Sequence, residues 1–192
     1  LAGSVVKATA SAEEANVPGY AVTVHSNMDF GQVMTVNGAF SGGVAGANCS
    51  AAGTYFGGKA KAAIDGSGTI RNITGNIRVY TTGITRAIGA AASAAAGVGS
   101  GNATFVMAVN RSTAETYIGR DVTITAENSD VEVYHNITAE ARAYNIALSG
   151  GLVAVNANVV LIINNFVAHS WIGDPSDTAL SSESGKLTAK NV

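Results

Sequence analysis

Between Val153 and Ile163 every odd position is apolar: Val153, Val155, Ala157, Val159, Leu161 and Ile163. Alternation at two residues marks a strand with one buried face, so the pattern predicts a strand whose odd side chains face a core. After Asn164 and Asn165 the apolar set moves to even positions, Phe166, Ala168 and Ile172, with Ser170 as a small polar member. A change of face across a polar pair predicts a bend. The same switch occurs earlier in the chain, where Ala103, Phe105, Met107 and Val109 precede Ala114 and Ile118. The offset between the two stretches is even, which keeps inner and outer faces aligned, as stacking of equivalent strands requires.

Sliding the chain against itself by an offset of 54 leaves four positions identical in three copies. They are Gly43, Gly97 and Gly151; Asn48, Asn102 and Asn156; Ala60, Ala114 and Ala168; and Ile64, Ile118 and Ile172. From Ile77 to Gly119 against Val131 to Gly173 there are eleven identities in forty-three pairs. Many other pairs exchange like for like, such as Tyr117 for Trp171 and Met107 for Leu161. The Ala-rich stretch from Ala87, "AIGAAASAAAGVGSG", is helical by propensity alone. Its aligned counterparts are interrupted by Gly and partly alternating, so the repeat predicts strand there too, around a narrow core.

A β unit that cannot bury its own face, repeated along the chain, argues for an all-β solenoid in a single domain over residues 1–192. The units are read as about 23–76, 77–130 and 131–192. A solenoid turn commonly takes roughly 20 to 30 residues, so each unit is expected to make about two turns, with like residues two rungs apart. In that arrangement Gly shapes the turn, Asn forms side-chain ladders, and Ala and Ile face inward while Tyr117 and Trp171 face outward. The alternative architecture is a β-sandwich, which gives no reason for an echo at a fixed interval.

Composition narrows the function classes. Only 12% of residues are charged, about half the usual share. The net charge is −2 and the eleven basic residues are scattered singly, which gives no electrostatic reason to expect a nucleic acid. The most apolar stretch, "GGLVAVNANVVLIINNFVA", is broken by Asn156, Asn158, Asn164 and Asn165, so no spanning helix and no membrane insertion is expected. A transmembrane β-barrel would also alternate, but five Phe, six Tyr and one Trp are thin for its aromatic girdles. The opening "LAGSVV", without Met or a basic start, reads as that of a fragment. A single cysteine excludes an internal disulfide and mildly favours an exported bacterial protein.

Candidate chemistry is sparse. Cys49 fills the slot of Ala103 and Ala157, which predicts a small core residue and not a nucleophile. His25, His135 and His169 share no repeat position, so no metal site or catalytic triad is expected. No cofactor is expected. "GVGSG" at Gly97 to Gly101 lacks the Lys-Ser/Thr of a phosphate loop. A polysaccharide-cleaving solenoid needs acids converging on a cleft, and the one close pair is Asp174 with Asp177. They lie in "GDPSDTALSSESG", inside a nine-residue insertion: Ile64 to Ile70 and Ile118 to Ile124 span six residues, Ile172 to Leu187 fifteen. Insertions in repeat proteins map to loops that often carry contacts. Asp174 and Asp177 are therefore the first candidate contact site, and an exposed aromatic column of Tyr117 and Trp171 the second. Several Asn-x-Ser/Thr triplets, at Asn48, Asn72, Asn102, Asn110 and Asn136, are read as products of composition.

"DVTITAENSDVEVY", "MAVNRSTAETYIG" and "SGGLVAVNANVVLIINNFVAHSWIGD" resemble the repeats of very large bacterial surface proteins, the filamentous-haemagglutinin-like and leukotoxin-type filamentous adhesins. The resemblance is clearest from about Ile70 to Gly173. It implies a right-handed parallel β-helix in a long secreted or surface-held stalk, extracellular, without enzymatic activity, and with further repeats in the same chain. The implied partner is a component of a host or neighbouring-cell surface, a glycan among the candidates. The competing class is a carbohydrate-binding or carbohydrate-cleaving β-helix protein. An ice-binding solenoid would need a regular Thr array, and the threonines are in no such register.

Overall fold

The computed structural model describes residues 5–7, 20–66, 68–71, 75–173 and 187–192. Every described element is a strand. In chain order they are β1 (Val5–Lys7), β2 (Tyr20–Gly42), β3 (Ala45–Phe56), β4 (Lys59–Ile64), β5 (Gly68–Arg71) and β6 (Asn76–Ala96). There follow β7 (Gly99–Asn110), β8 (Thr113–Ile118), β9 (Val122–Gly150), β10 (Val153–Asn164), β11 (Val167–Ile172) and β12 (Leu187–Asn191). The Ala-rich stretch is strand, lying in β6 and β7 as the repeat predicts.

All pairing is parallel, in sheets ordered β1-β4-β8-β11, β3-β7-β10 and β2-β6-β9-β12, with β5 also on β9. The partners are the sequence equivalents, one repeat on: Ala45 pairs Gly99, Gly99 pairs Val153, Lys59 pairs Thr113, and Ile77 pairs Val131. Between β2 and β6 the offset is 56 at Tyr20 with Asn76, 55 from Val22 with Ile77, and 54 from Gly31 with Thr85, with register shifts at Tyr20/Val22 and Asp29/Gly31. Leu187 pairs Ile124, so β12 resumes the pattern beyond the insertion.

This register corrects one expectation. Residues one repeat apart are direct hydrogen-bonded neighbours, so a unit makes one rung and not two. The unit is long because its strands are long, with 21 residues in β6 against 12 in β7.

The space between the sheets tapers. At one end β2, β4, β6, β8 and β9 enclose bulky apolar side chains, among them Val24, Ile77, Val79, Ile118 and Ile124, each at most 2% exposed. Farther along, the core shrinks to Ala52, Ala91 and Val106. A Cβ added at Gly89 would lie 2.7 Å from the Met107 carbonyl oxygen, so the sheets approach too closely there for a side chain. At the turn the rungs themselves come close, and a Cβ at Gly151 would overlap the Gly97 carbonyl oxygen below it.

A second correction concerns faces. In β7 every even side chain is buried, Ser100, Asn102, Thr104, Val106, Ala108 and Asn110, and of the odd ones only Val109. By register with β7 the odd apolar set lies on the outer face, where Phe105 is exposed; β10, on the last described rung, is exposed on both faces, at Val159 and Leu161 as at Val160 and Ile162. Cys49, expected in the core, is exposed on the same outer face. The polar interior is tied by hydrogen bonds. Thr81 bonds Thr116 at 2.8 Å, Thr85 contacts Ser112 at 3.3 Å, and Asn110 donates to the Thr85 hydroxyl at 3.0 Å. A buried polar group that is hydrogen-bonded escapes most of its desolvation cost, but the hydroxyls of Ser50, Ser93 and Ser100 are buried without a partner.

Candidate functional site

The isoleucine repeat positions pair in register. Ile64 and Ile118 are buried, whereas Ile172, on the last described rung of its sheet, is 39% exposed. Ala60, Ala114 and Ala168 are in register beneath one another. Asn48, Asn102 and Asn156 are also in register, but they form no amide ladder with each other. Asn48 Nδ2 donates to the Ala94 carbonyl oxygen at 2.5 Å, and Asn102 Nδ2 donates to that of Leu148. Both reach across to the main chain of the opposing sheet.

Tyr117 and Trp171 do stack, with ring centroids 4.5 Å apart and planes 9° from parallel. Parallel pairing in register places the two rings on successive rungs. The expected exposure of Tyr117 is corrected: it is buried, because Trp171 covers one face and the Lys61 ammonium lies 4.6 Å from the ring centroid. Its hydroxyl donates to Asp65 Oδ2 at 2.9 Å. Lys61 is held above its ordinary pKa of 10.5, first by its contact with the Tyr117 side chain, against the opposing effect of burial, with the charges of Tyr117, Glu115 and Asp65 adding to the rise. Trp171 is half-buried, with His169 edge-on at 6.4 Å.

A second column stands outside the sequence expectations. His25 stacks on Tyr80 at 4.3 Å, and Tyr80 on Tyr134 at 5.3 Å. Ion pairs link rungs beside it, Arg78 to Glu132 at 2.7 Å and Arg86 to Glu140 at 3.2 Å. Opposite charges at equivalent positions of successive repeats are a usable sequence signal for these pairs. His25 carries no such signal, because the register shift takes its pairing with Tyr80 off the common offset.

These acids are engaged structurally. Glu115 pairs with Lys59, Glu132 with Arg78, Glu140 with both Arg86 and Arg142, and Asp65 with Tyr117. Exposed pairs of this kind contribute about 0–1 kcal/mol each. Among the described residues no three His, Cys, Asp or Glu side chains group to hold a metal ion. His135 Nδ1 and the Ser170 hydroxyl lie 2.9 Å apart. Asp174 and Asp177 lie outside the described residues. An open cavity of about 420 Å³ is lined by Val131, Val133, Tyr134, Trp171, Ile172 and Val192, with Glu132 and Ser170. Val131 and Val133 belong to or pack on the bulky core, so the cavity is the open end of that core.

No protein-family model, curated protein or solved structure matches the chain.

Proposed function

We propose that this chain is a non-enzymatic structural and adhesive segment of a secreted or cell-surface bacterial protein, built as a right-handed parallel β-helix. The observation that carries the reading is the constant register: in three sheets, residues one repeat apart are hydrogen-bonded neighbours. Such a stack resists bending because main-chain hydrogen bonds run along its axis, and each rung buries its face only against the next. The stacked Tyr117 and Trp171, the second aromatic column and the rung-to-rung ion pairs serve the same end. The open core end beside Val131 and Ile172 fits further repeats stacked in the same chain. The stiff stalk would present its weakly charged flanks, and the loop holding Asp174 and Asp177, to a host or neighbouring-cell surface or a glycan on it.

The test is to coat beads with the protein, measure their adherence to cell layers and glycan arrays, and assay polysaccharides incubated with it for new reducing ends. Adherence without new reducing ends is expected. Reducing ends that disappear on changing Asp174 or Asp177 would replace this reading with a carbohydrate-cleaving one.

A further inference from the structure

The outer face of the β3-β7-β10 sheet is inverted relative to an ordinary surface. Its odd-numbered positions, 45–55, 99–109 and 153–163, carry no charged residue. Phe105 is 40% exposed, Val159 55% and Leu161 40%, while Asn102 and Thr104 of the same sheet are buried. Across the molecule the outer face of β6 and β9 also exposes Ile146 and Leu148, but Arg142 and Glu140 interrupt it. The β3-β7-β10 face has no such interruption.

Its area can be set against what association requires. Strands of 12 residues in a sheet of three give about 40 Å by 14 Å, or about 560 Å² of face. Two such faces together bury about 1,100 Å², which clears the roughly 1,000 Å² expected of a specific interface. A soluble monomer rarely exposes a contiguous apolar patch of more than about 300–600 Å².

The face is also graded in size. On β3 the columns begin with Ala51 and Gly53; on β7 they continue with Phe105 and Met107; on β10 they end with Val159 and Leu161. Met107 leans over Gly53, where an added Cβ would meet its Cε at 3.6 Å. A twofold axis along the middle strand, in the plane of contact, turns the rung order over. Gly53 of one copy then meets Leu161 of the other, Ala51 meets Val159, and the middle strands meet each other. On the outer strands Leu161 and Val159 fall opposite Gly53 and Ala51, while on the middle strand Phe105 and Met107 meet their own counterparts, between sheets about 10 Å apart.

We infer that the outer face of β3-β7-β10 is a self-association surface on which a second copy of this chain packs face to face, related by that twofold axis.

The pairing covers Cys49, which is exposed on this face and faces Ala157 of the partner copy in the twofold arrangement. The experiment is sedimentation velocity on the full chain from low to high micromolar concentration, with the rate of maleimide labelling of Cys49 measured in parallel. A dimer is expected at high concentration, with labelling slowed at least tenfold. Leu161→Lys should sediment as a monomer with labelling independent of concentration, and Leu148→Lys on the opposite face should still dimerise. Gly53→Leu separates fitted pairing from general stickiness: it adds apolar area but opposes Leu161, so the fitted pair weakens at least tenfold. Circular dichroism melting of each variant confirms that it is folded. A monomer at every concentration with constant labelling would overturn the inference. So would stronger association of Gly53→Leu, a dimer lost only in Leu148→Lys, or uptake onto phosphatidylcholine vesicles in place of self-association.

Discussion

Asn102, inside the stack, donates its side-chain amide to the main-chain oxygen of Leu148 in the opposing sheet, and it is only 4% exposed. Asn48 repeats the bond with Ala94 one rung earlier. An invariant Asn in the repeat is thus a brace between sheets. Asn102→Leu removes the donor to the Leu148 carbonyl, a part-buried bond whose loss costs about 0.5–1.5 kcal/mol. Urea denaturation should show that loss in Asn102→Leu, and a much smaller one in Asn156→Leu, where the side chain is exposed.

Burial also separates the three equivalent isoleucines. Ile118 is 2% exposed in the bulky core and Ile172 is 39% exposed. Ile118→Ala should therefore cost about 2–5 kcal/mol, the range for deletion of a buried aliphatic side chain. Ile172→Ala should cost under half as much, and equilibrium denaturation of the pair of variants compares them directly.

The taper makes a sharp distinction between glycines. Gly89→Ala forces a Cβ to within 2.7 Å of the Met107 carbonyl oxygen, whereas at Gly99 nothing lies within 4 Å of an added Cβ. Overpacking of this kind costs about 1–3 kcal/mol. Gly89→Ala should lower the melting temperature by several degrees, and Gly99→Ala should leave it unchanged or slightly raised.

Lys61 gives a pH dependence of known sign. Its pKa is raised in the folded chain above 10.5, mainly through Tyr117, so the protonated form stabilises the fold. That contribution is complete below pH 10.5 and is lost as pH rises through the folded value. Melting temperature should fall above that pH, and Lys61→Met should remove part of the fall.

The interval of the repeat, the strand character of the Ala-rich stretch and the resumption at Leu187 are legible in the sequence. Each depends on a period that survives substitution of like for like. Which side faces inward is not legible from alternation alone. The even positions of β10 include Val160 and Ile162, so both faces are rich in apolar residues. What decides the face is the pair Asn102 and Asn110, whose inward hydrogen bonds to Leu148 and Thr85 exist only once the second sheet is in place. The position of Cys49 follows from the same choice of face. The number of rungs per unit escapes a general turn length, because these strands are far longer than average. The burial of Tyr117 escapes the sequence because Lys61 belongs to the preceding rung, and only the register brings it over the ring.

The account rests on parallel rungs one repeat apart, and backbone NOE measurements on isotope-labelled protein test this most directly. Cross-strand contacts between β3 and β7, and between β7 and β10, should join equivalent residues of successive repeats in the pattern of parallel pairs, as between Asn48 and Asn102 or Val155 and Gly101. Contacts at half that offset, or the close Hα–Hα pairs of antiparallel strands, would contradict it.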